Sequence, residues 1–189
     1  MADIERHTIA VLVDNEPGIL ARVVGLFSGR GYNIESLTVA EVDRRNSLSR
    51  VTIVTSGTPM IIEQIKAQLS RLVPVHRVHD LTDEGPSVER EMALIKIHAP
   101  PASRAEIVAL TNVFDATIAD VGINTMIVEM TGTPSKVESF IEVIRPFGIK
   151  EMMRTGRIAM VRGAHTHQAP VDAGENGNGH VPAKAAALN

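Results

Sequence analysis

The sequence predicts an α+β protein made of two tandem ferredoxin-like βαββαβ domains and a disordered C-terminal tail. Short β-branched runs of strand length alternate with stretches of helical periodicity, in the order β–α–β–β–α–β, twice along the chain. The tripeptide Gly-Thr-Pro precedes the second helical stretch in both halves, at residues 57–59 and 132–134. Residues 163–189 are rich in Ala, Gly, Asn and Pro and have no periodicity, which is typical of disorder.

Composition argues against several classes of protein. The chain has 189 residues, of which 44% are hydrophobic, but no apolar run approaches the ~18 residues of a membrane-spanning helix. The N-terminus lacks signal-peptide architecture, and without cysteine there is no disulfide framework, so we expect a cytoplasmic protein. A net charge of −3 with interspersed signs and only 3% aromatic residues argue against a nucleic-acid-binding surface.

The first domain, predicted over residues 5–82, is organised around the stretch from Asn15 to Ala40. An apolar strand at residues 7–13 is broken by the loop Asn-Glu-Pro-Gly at 15–18, and Pro17 favours a helix start there. Apolar residues then recur at helical spacing until Gly29 and Gly31 end the helix. The elements that follow are a strand at 32–40, a strand at 50–55, a helix capped by Thr58 with Pro59 in its first turn, and a strand at 73–81.

The second domain, predicted over residues 92–162, follows a polar linker at residues 83–91. It repeats the order of the first domain. Its predicted elements are a strand at 92–98, a helix at 102–114, strands at 117–120 and 125–130, a helix after Pro134 and a closing strand within 149–162. The Asn-Glu-Pro-Gly loop has no counterpart here, since Pro-Pro-Ala-Ser stands at 100–103. We therefore expect any ligand of that loop to bind the first domain alone.

Two interpretations of the Asn15–Gly18 loop remain open at this point. It is either an ordinary connection, with Gly18 easing the turn, or an anion-binding site. A helix N-terminus exposes free N–H groups and the positive end of the helix dipole, which suit a carboxylate such as that of an amino acid.

The sequence shows no catalytic or metal-binding constellation. Gly29-Arg30-Gly31 follows a helix instead of a strand, so it does not form a dinucleotide fingerprint. His76 and His79 lie three apart in a predicted strand and point to opposite faces, so they do not share a metal. There is also no HExxH, GxSxG or P-loop motif. We predict no enzymatic activity for the chain itself.

The run Gly25–Val39, GLFSGRGYNIESLTV, preceded by Asn15–Leu20, resembles the small regulatory subunit of acetolactate synthase (acetohydroxyacid synthase). The resemblance continues through Leu48-Ser49-Arg50, the segment EQIKAQLSRLVPVHRV and the motif Val88–Glu91, and covers roughly residues 6–162. It implies an N-terminal ACT domain that binds a branched-chain amino acid, usually valine, and a C-terminal ACT-like domain. The EVDRRNS turn and the long tail are not characteristic of the family.

The resemblance also implies a role without chemistry of its own. Such a subunit activates a catalytic subunit that carries thiamine diphosphate, Mg and FAD, confers feedback inhibition, and forms a homodimer through its N-terminal ACT domains. The effector residues implied at the dimer interface are Asn15, Gly18, Ile19, Leu20, Asn33, Ile34 and Thr38. Two alternatives stay open: an amino-acid-binding regulator acting on another enzyme or a transcription factor, and a small enzyme of ferredoxin-like fold.

Overall fold

The computed structural model describes residues 4–163 and shows two α+β domains. In the N-terminal domain two helices pack on one face of a four-stranded antiparallel sheet of order β2-β3-β1-β4. Its elements are β1 (Glu5–Asp14), α1 (Ile19–Ser28), β2 (Ser36–Asp43), β3 (Leu48–Gly57), α2 (Pro59–Leu69) and β4 (Val75–Asp80). The predicted βαββαβ order is confirmed.

The C-terminal domain repeats this plan, with a sheet of order β6-β7-β5-β8 and one added strand, β9, which pairs with the first part of β5. Its elements are β5 (Ser87–His98), α3 (Arg104–Val113), β6 (Thr117–Val121), β7 (Thr125–Gly132), α4 (Pro134–Ile144), β8 (Ile149–Arg154) and β9 (Ile158–Val161). The predicted disordered tail lies outside the described residues, apart from Gly163. Within the described range no helix is long and apolar enough to cross a membrane.

Each domain has its own apolar core between its helices and its sheet. In the N-terminal domain Ile9, Val11 and Val13 of β1 alternate toward the helices, as a half-buried strand requires, and meet Ile65 of α2. In the C-terminal domain Phe140 of α4 is fully buried in the corresponding place. Because each core is complete within one domain, the relative position of the two domains is set by a separate, smaller interface.

The Gly-Thr-Pro motifs cap α2 and α4 as predicted. The Thr58 hydroxyl accepts a hydrogen bond from the N–H of Ile61 at 3.4 Å, and the Thr133 hydroxyl accepts one from Lys136 at 3.3 Å. The proline follows at the first helical position in both helices. The glycine has a steric role as well, because a Cβ on Gly57 would lie 2.9 Å from a methyl group of Ile61.

Two boundaries near α1 differ from the prediction. The helix begins at Ile19 with Gly18 as its N-cap, so Pro17 stays in the loop and does not enter the first turn. Strand β2 begins at Ser36 and not at Tyr32. The reason is a Schellman motif, in which the Tyr32 N–H donates to the carbonyl of Phe27 at 3.0 Å and the two rings meet edge to face. This motif uses residues that otherwise resemble the start of a strand.

The predicted linker and closing strand are also corrected. Strand β5 begins at Ser87, within the segment expected to be a linker, because residues 87–90 pair with β9. The segment 149–162 contains two strands, β8 and β9, separated by the turn Thr155–Arg157. Both corrections have one cause: β9 and the first part of β5 form a two-stranded ribbon outside the repeated βαββαβ plan.

This ribbon joins the two domains. Its residues Ala159 and Val161 form a small apolar cluster with Ala10 and Leu81, on the face of the N-terminal sheet that α1 and α2 leave uncovered. The Arg50 guanidinium on that face donates to the carbonyl of Ala159 at 2.9 Å. The last strand of the C-terminal domain therefore covers part of the N-terminal sheet.

Candidate functional site

The start of α1 presents unused hydrogen-bond donors to solvent. Gly18 is exposed and has a left-handed conformation, with φ of 87°, and no side chain of the described residues caps the helix. Within residues 4–163 the N–H groups of Gly18, Leu20 and Ala21 have no acceptor, and the Ile19 N–H makes only a long contact of 3.4 Å to the Glu16 carbonyl. Together with the positive end of the helix dipole, these donors form a place suited to a carboxylate.

The loop that leads to α1 is fixed by its neighbours. The Asn15 N–H donates to the carbonyl of Ser47 at 2.6 Å, and the Asn15 side-chain amide donates to the Glu41 carboxylate at 3.3 Å. Glu16 accepts a hydrogen bond from Arg22 at 3.2 Å. The carboxylates of Glu16 and Glu41 are thus engaged by Arg22 and Asn15, and within residues 4–163 neither caps the free N–H groups of α1.

The predicted site residues of α1 divide between core and surface. Ile19 is buried in the core of the N-terminal domain, so it offers a site its backbone and not its side chain. Leu20 is 40% exposed on α1, and Val39 is 43% exposed on the edge strand β2. Both apolar side chains are therefore partly open to solvent.

Asn33 and Ile34 lie at the far end of α1 from Gly18. Asn33 is exposed and its carbonyl accepts a hydrogen bond from Thr55 at 2.6 Å, while Ile34 packs against the domain core. A ten-residue helix is about 15 Å long, so one protomer does not bring Asn33 and Gly18 together. A site that includes both ends of α1 needs two copies of the domain.

Thr38 lies on β2 with its side chain on the sheet face opposite the helices. Its hydroxyl donates to the carbonyl of Arg157, in the C-terminal domain, at 3.2 Å. No sequence pattern pointed to this interdomain contact, because the two residues are 119 positions apart.

The equivalent corner of the C-terminal domain is filled by its own side chain. There a short 3₁₀ turn at Pro101–Ser103 precedes α3, and Arg104 donates to the carbonyls of Ala99, at 3.2 Å, and Gly122, at 2.6 Å. The corner is therefore closed by a guanidinium group. That an effector binds at the first domain alone stays a prediction.

Glu35, between Ile34 and β2, has a pKa below its ordinary value of 4.5. The largest cause is the hydrogen bond from the Ser56 hydroxyl, and Arg6 adds a second hydrogen bond and a favourable charge, against the opposing effect of partial burial. This carboxylate is part of the connection between the Schellman turn and β3, since the Glu35 N–H also donates to the Val54 carbonyl at 2.8 Å.

We expect Glu35→Gln to make the melting temperature less dependent on pH in the acid range. A depressed folded-state pKa contributes stability that is present above the unfolded-state pKa and is lost as pH falls through the folded-state value. The wild-type melting temperature should therefore fall further between pH 7 and pH 3 than that of the variant. Glu106→Gln, an exposed carboxylate on α3, controls for the loss of one negative charge. Identical falls for wild type and Glu35→Gln would contradict the prediction.

A buried polar cluster around His7 and Asp80 has no signature in the sequence. His7 is 4% exposed, and its Nδ1 lies 2.8 Å from the Asp80 carboxylate, with Asp83 4.0 Å away. These ligand types suit a metal, but the Lys66 ammonium lies 3.8 Å from Asp80 and 3.5 Å from Asp83. Because that ammonium already compensates the carboxylate charge, the cluster is better explained as an ion-pair network that joins α2 to β1 and β4.

The comparisons with known proteins agree with this geometry. The family described as "AHAS small subunit-like ACT domain" matches residues 9–77, and the family described as "Small subunit of acetolactate synthase" matches residues 90–163. The chain is 54% identical over 158 residues to a probable acetolactate synthase small subunit of Archaeoglobus fulgidus, covering 84% of this chain and 98% of that protein. It is 46% identical to the acetolactate synthase small subunit of Aquifex aeolicus, covering 84% and 82%.

A solved structure shows the same architecture. The crystal structure of the acetolactate synthase small subunit from Thermotoga maritima matches with a TM-score of 0.77 at 40% identity, covering 85% of this chain and 99% of that one. The match includes both domains, so it supports the ACT-type assignment of each half. The chain therefore belongs to the family of acetolactate synthase small subunits.

Proposed function

We propose that this chain is the non-catalytic regulatory subunit of acetolactate synthase in branched-chain amino-acid biosynthesis. In this proposal it activates a catalytic subunit that carries thiamine diphosphate, Mg and FAD. It confers feedback inhibition by valine bound between the N-terminal ACT domains of two protomers. Membership of the small-subunit family supports the catalytic partner. The single observation that carries effector binding is the uncapped start of α1, with free N–H groups at Gly18 and Leu20.

The position of β2 supports a dimer. It is an edge strand whose only partner within the described sheet is β3, and an unpaired edge is a template for another strand. Antiparallel pairing of β2 with its copy would bring the Asn15 end of one protomer to the Asn33 end of its partner. The exposed Leu20 and Val39 would be covered by the same contact. The proposed site thus combines Asn15 and Gly18–Leu20 of one protomer with Asn33, Ile34 and the strand carrying Thr38 from the other.

Each part of a branched-chain amino acid has a complement in this site. The carboxylate would accept from the N–H groups at the helix start, and the side-chain oxygens of Asn15 and Asn33 would accept from the ammonium group. The apolar side chain would lie against Ile34 and Leu20. Valine and isoleucine differ by one methylene, so such a pocket distinguishes them by only about 1–3 kcal/mol of binding free energy. Isoleucine and leucine are therefore the competing effectors to test.

The test is acetolactate formation by the cognate catalytic subunit, alone and with this chain, across titrations of valine, isoleucine and leucine. We expect the chain to stimulate the reaction and valine to reverse the stimulation. Stimulation that none of the three amino acids reverses would contradict the effector assignment. No stimulation at all would contradict the regulatory role and favour an amino-acid-binding regulator of another enzyme.

A further inference from the structure

The turn between β8 and β9, Thr155–Arg157, belongs to the C-terminal domain but lies directly against β2 of the N-terminal domain. The Arg157 N–H donates to the Ser36 hydroxyl at 3.2 Å, and the Thr38 hydroxyl donates to the Arg157 carbonyl at 3.2 Å. The hydroxyl groups of Ser36 and Thr38 therefore hydrogen-bond to both the backbone N–H and the backbone carbonyl of Arg157. We call this contact between the turn and β2 the interdomain clasp.

The clasp depends on a glycine at its centre. Gly156 has φ of +82°, in the left-handed region that side chains disfavour. A Cβ there would lie 2.7 Å from the Ser36 hydroxyl oxygen and 2.9 Å from that of Thr38. Even an alanine would thus displace the Ser36 and Thr38 hydroxyl groups from their hydrogen bonds or push the turn away from β2. The close approach of the two domains is therefore specified by the sequence of the turn itself.

The turn is also fixed within its own domain. The Thr155 N–H donates to the Met92 carbonyl at 3.0 Å, which attaches the turn to β5. The Arg157 side chain forms an ion pair with Glu89 at 3.1 Å, and the other oxygen of Glu89 accepts a hydrogen bond from Thr8 of β1 at 3.3 Å. The turn is thus bonded to β2 through the clasp and to β5 through Met92 and Glu89.

Strand β2 connects this contact to the proposed effector site. Ser36 and Thr38 face the turn, while Leu37, between them, packs toward the helices and the domain core. Asn33 and Ile34 lie immediately before the strand, so a ligand bound against them acts on the segment that the clasp holds. An effector changes activity only by favouring one state of the complex over another, which requires that its site be coupled to the rest of the assembly.

We propose that the interdomain clasp transmits effector binding from the N-terminal ACT dimer to the C-terminal domain. Gly156 and Ser36 act as positioning residues in this coupling. The inference rests on the proposed function, because it concerns the response to the effector bound at β2. It assigns Gly156 and Ser36 no part in binding valine and no part in activating the catalytic subunit.

The test uses Gly156→Ala in the full chain, with Gly163→Ala as a matched control. Gly163 has φ of +89°, and a Cβ there meets no atom of the described residues within 4 Å, so the control enters the same disfavoured backbone region without a contact to β2. Valine affinity is measured by calorimetry on the regulatory chain, and stimulation and inhibition are measured in the holoenzyme. We expect Gly156→Ala to keep valine affinity and stimulation within about twofold of wild type. The valine concentration for half-inhibition should rise at least about fivefold.

Ser36→Ala is the milder second variant, since it removes only the acceptor for the Arg157 N–H. It should shift half-inhibition in the same direction by a smaller factor, and it keeps the inference testable if Gly156→Ala does not fold. Unchanged inhibition in both variants overturns the inference, and so does a loss of valine affinity in parallel with the loss of inhibition. An equal shift in Gly163→Ala overturns it too. If the wild-type protein neither binds valine nor is inhibited by it, the proposed function itself is contradicted.

Discussion

Gly18→Asp is expected to abolish inhibition by valine while leaving stimulation of the catalytic subunit intact. The substitution places a carboxylate at the helix start where the carboxylate of the effector is proposed to bind. Two like charges about 4 Å apart repel by about 4 kcal/mol at an effective dielectric constant of 20, so valine affinity should fall by more than about 100-fold. Calorimetry with valine and inhibition assays on the holoenzyme measure the two effects.

The same variant should remain folded. Gly18 has φ of +87°, and a Cβ there meets no atom of residues 4–163 within 4 Å, so the cost is limited to the left-handed conformation, about 1–2 kcal/mol. Aspartate tolerates this region better than most residues. Gly163→Asp has the same conformation and new charge at the end of the C-terminal domain, and it should respond to valine like wild type. Full inhibition of Gly18→Asp would refute the placement of the effector carboxylate.

Phe140→Ala is expected to have the largest effect on stability. The ring is fully buried between α4 and the C-terminal sheet, and its centroid lies 5.2 Å from that of Phe114. Removing a buried phenylalanine costs about 3–5 kcal/mol, because the transfer free energy is lost and a cavity remains. With a urea m-value of about 2 kcal/mol/M, the unfolding midpoint should fall by about 1.5–2.5 M.

Val143→Ala on the same helix is the matched control. Val143 is 40% exposed, so its truncation removes fewer packing contacts and should lower the midpoint much less. Both variants can be followed by circular dichroism of the full chain in urea. Equal falls for the two variants would contradict the core assigned to Phe140.

Local signals in the sequence account for the elements that were predicted correctly. The Gly-Thr-Pro motifs fixed the starts of α2 and α4, because capping is decided within four residues. The apolar, β-branched run at residues 7–13 likewise identified β1 as a strand. The exposed N–H groups at Gly18 follow from a glycine at a helix start, and so this part of the candidate site was also accessible from the sequence.

The features that were missed depend on distant parts of the chain. Strand β9 has only four residues, and it exists because it pairs with residues 87–90 of β5. The approach of Gly156 to Ser36 joins positions 120 residues apart and has no local signature. Strand β2 starts late because Tyr32 takes part in the Schellman motif that ends α1, although the residues after Gly31 have strand propensity.

The position of β9 has a consequence for synthesis of the chain. The uncovered face of the N-terminal sheet, with Ala10 and Leu81, receives its apolar cover from Ala159 and Val161, about 80 residues later. At about 5–20 residues per second, the ribosome needs roughly 4–16 s to make that interval. During this time the nascent N-terminal domain has its sheet and helices but exposes an apolar patch and the open edge of β2. We therefore expect chaperones to bind most strongly to a nascent chain stalled before β9, in which the apolar patch and the edge of β2 are exposed.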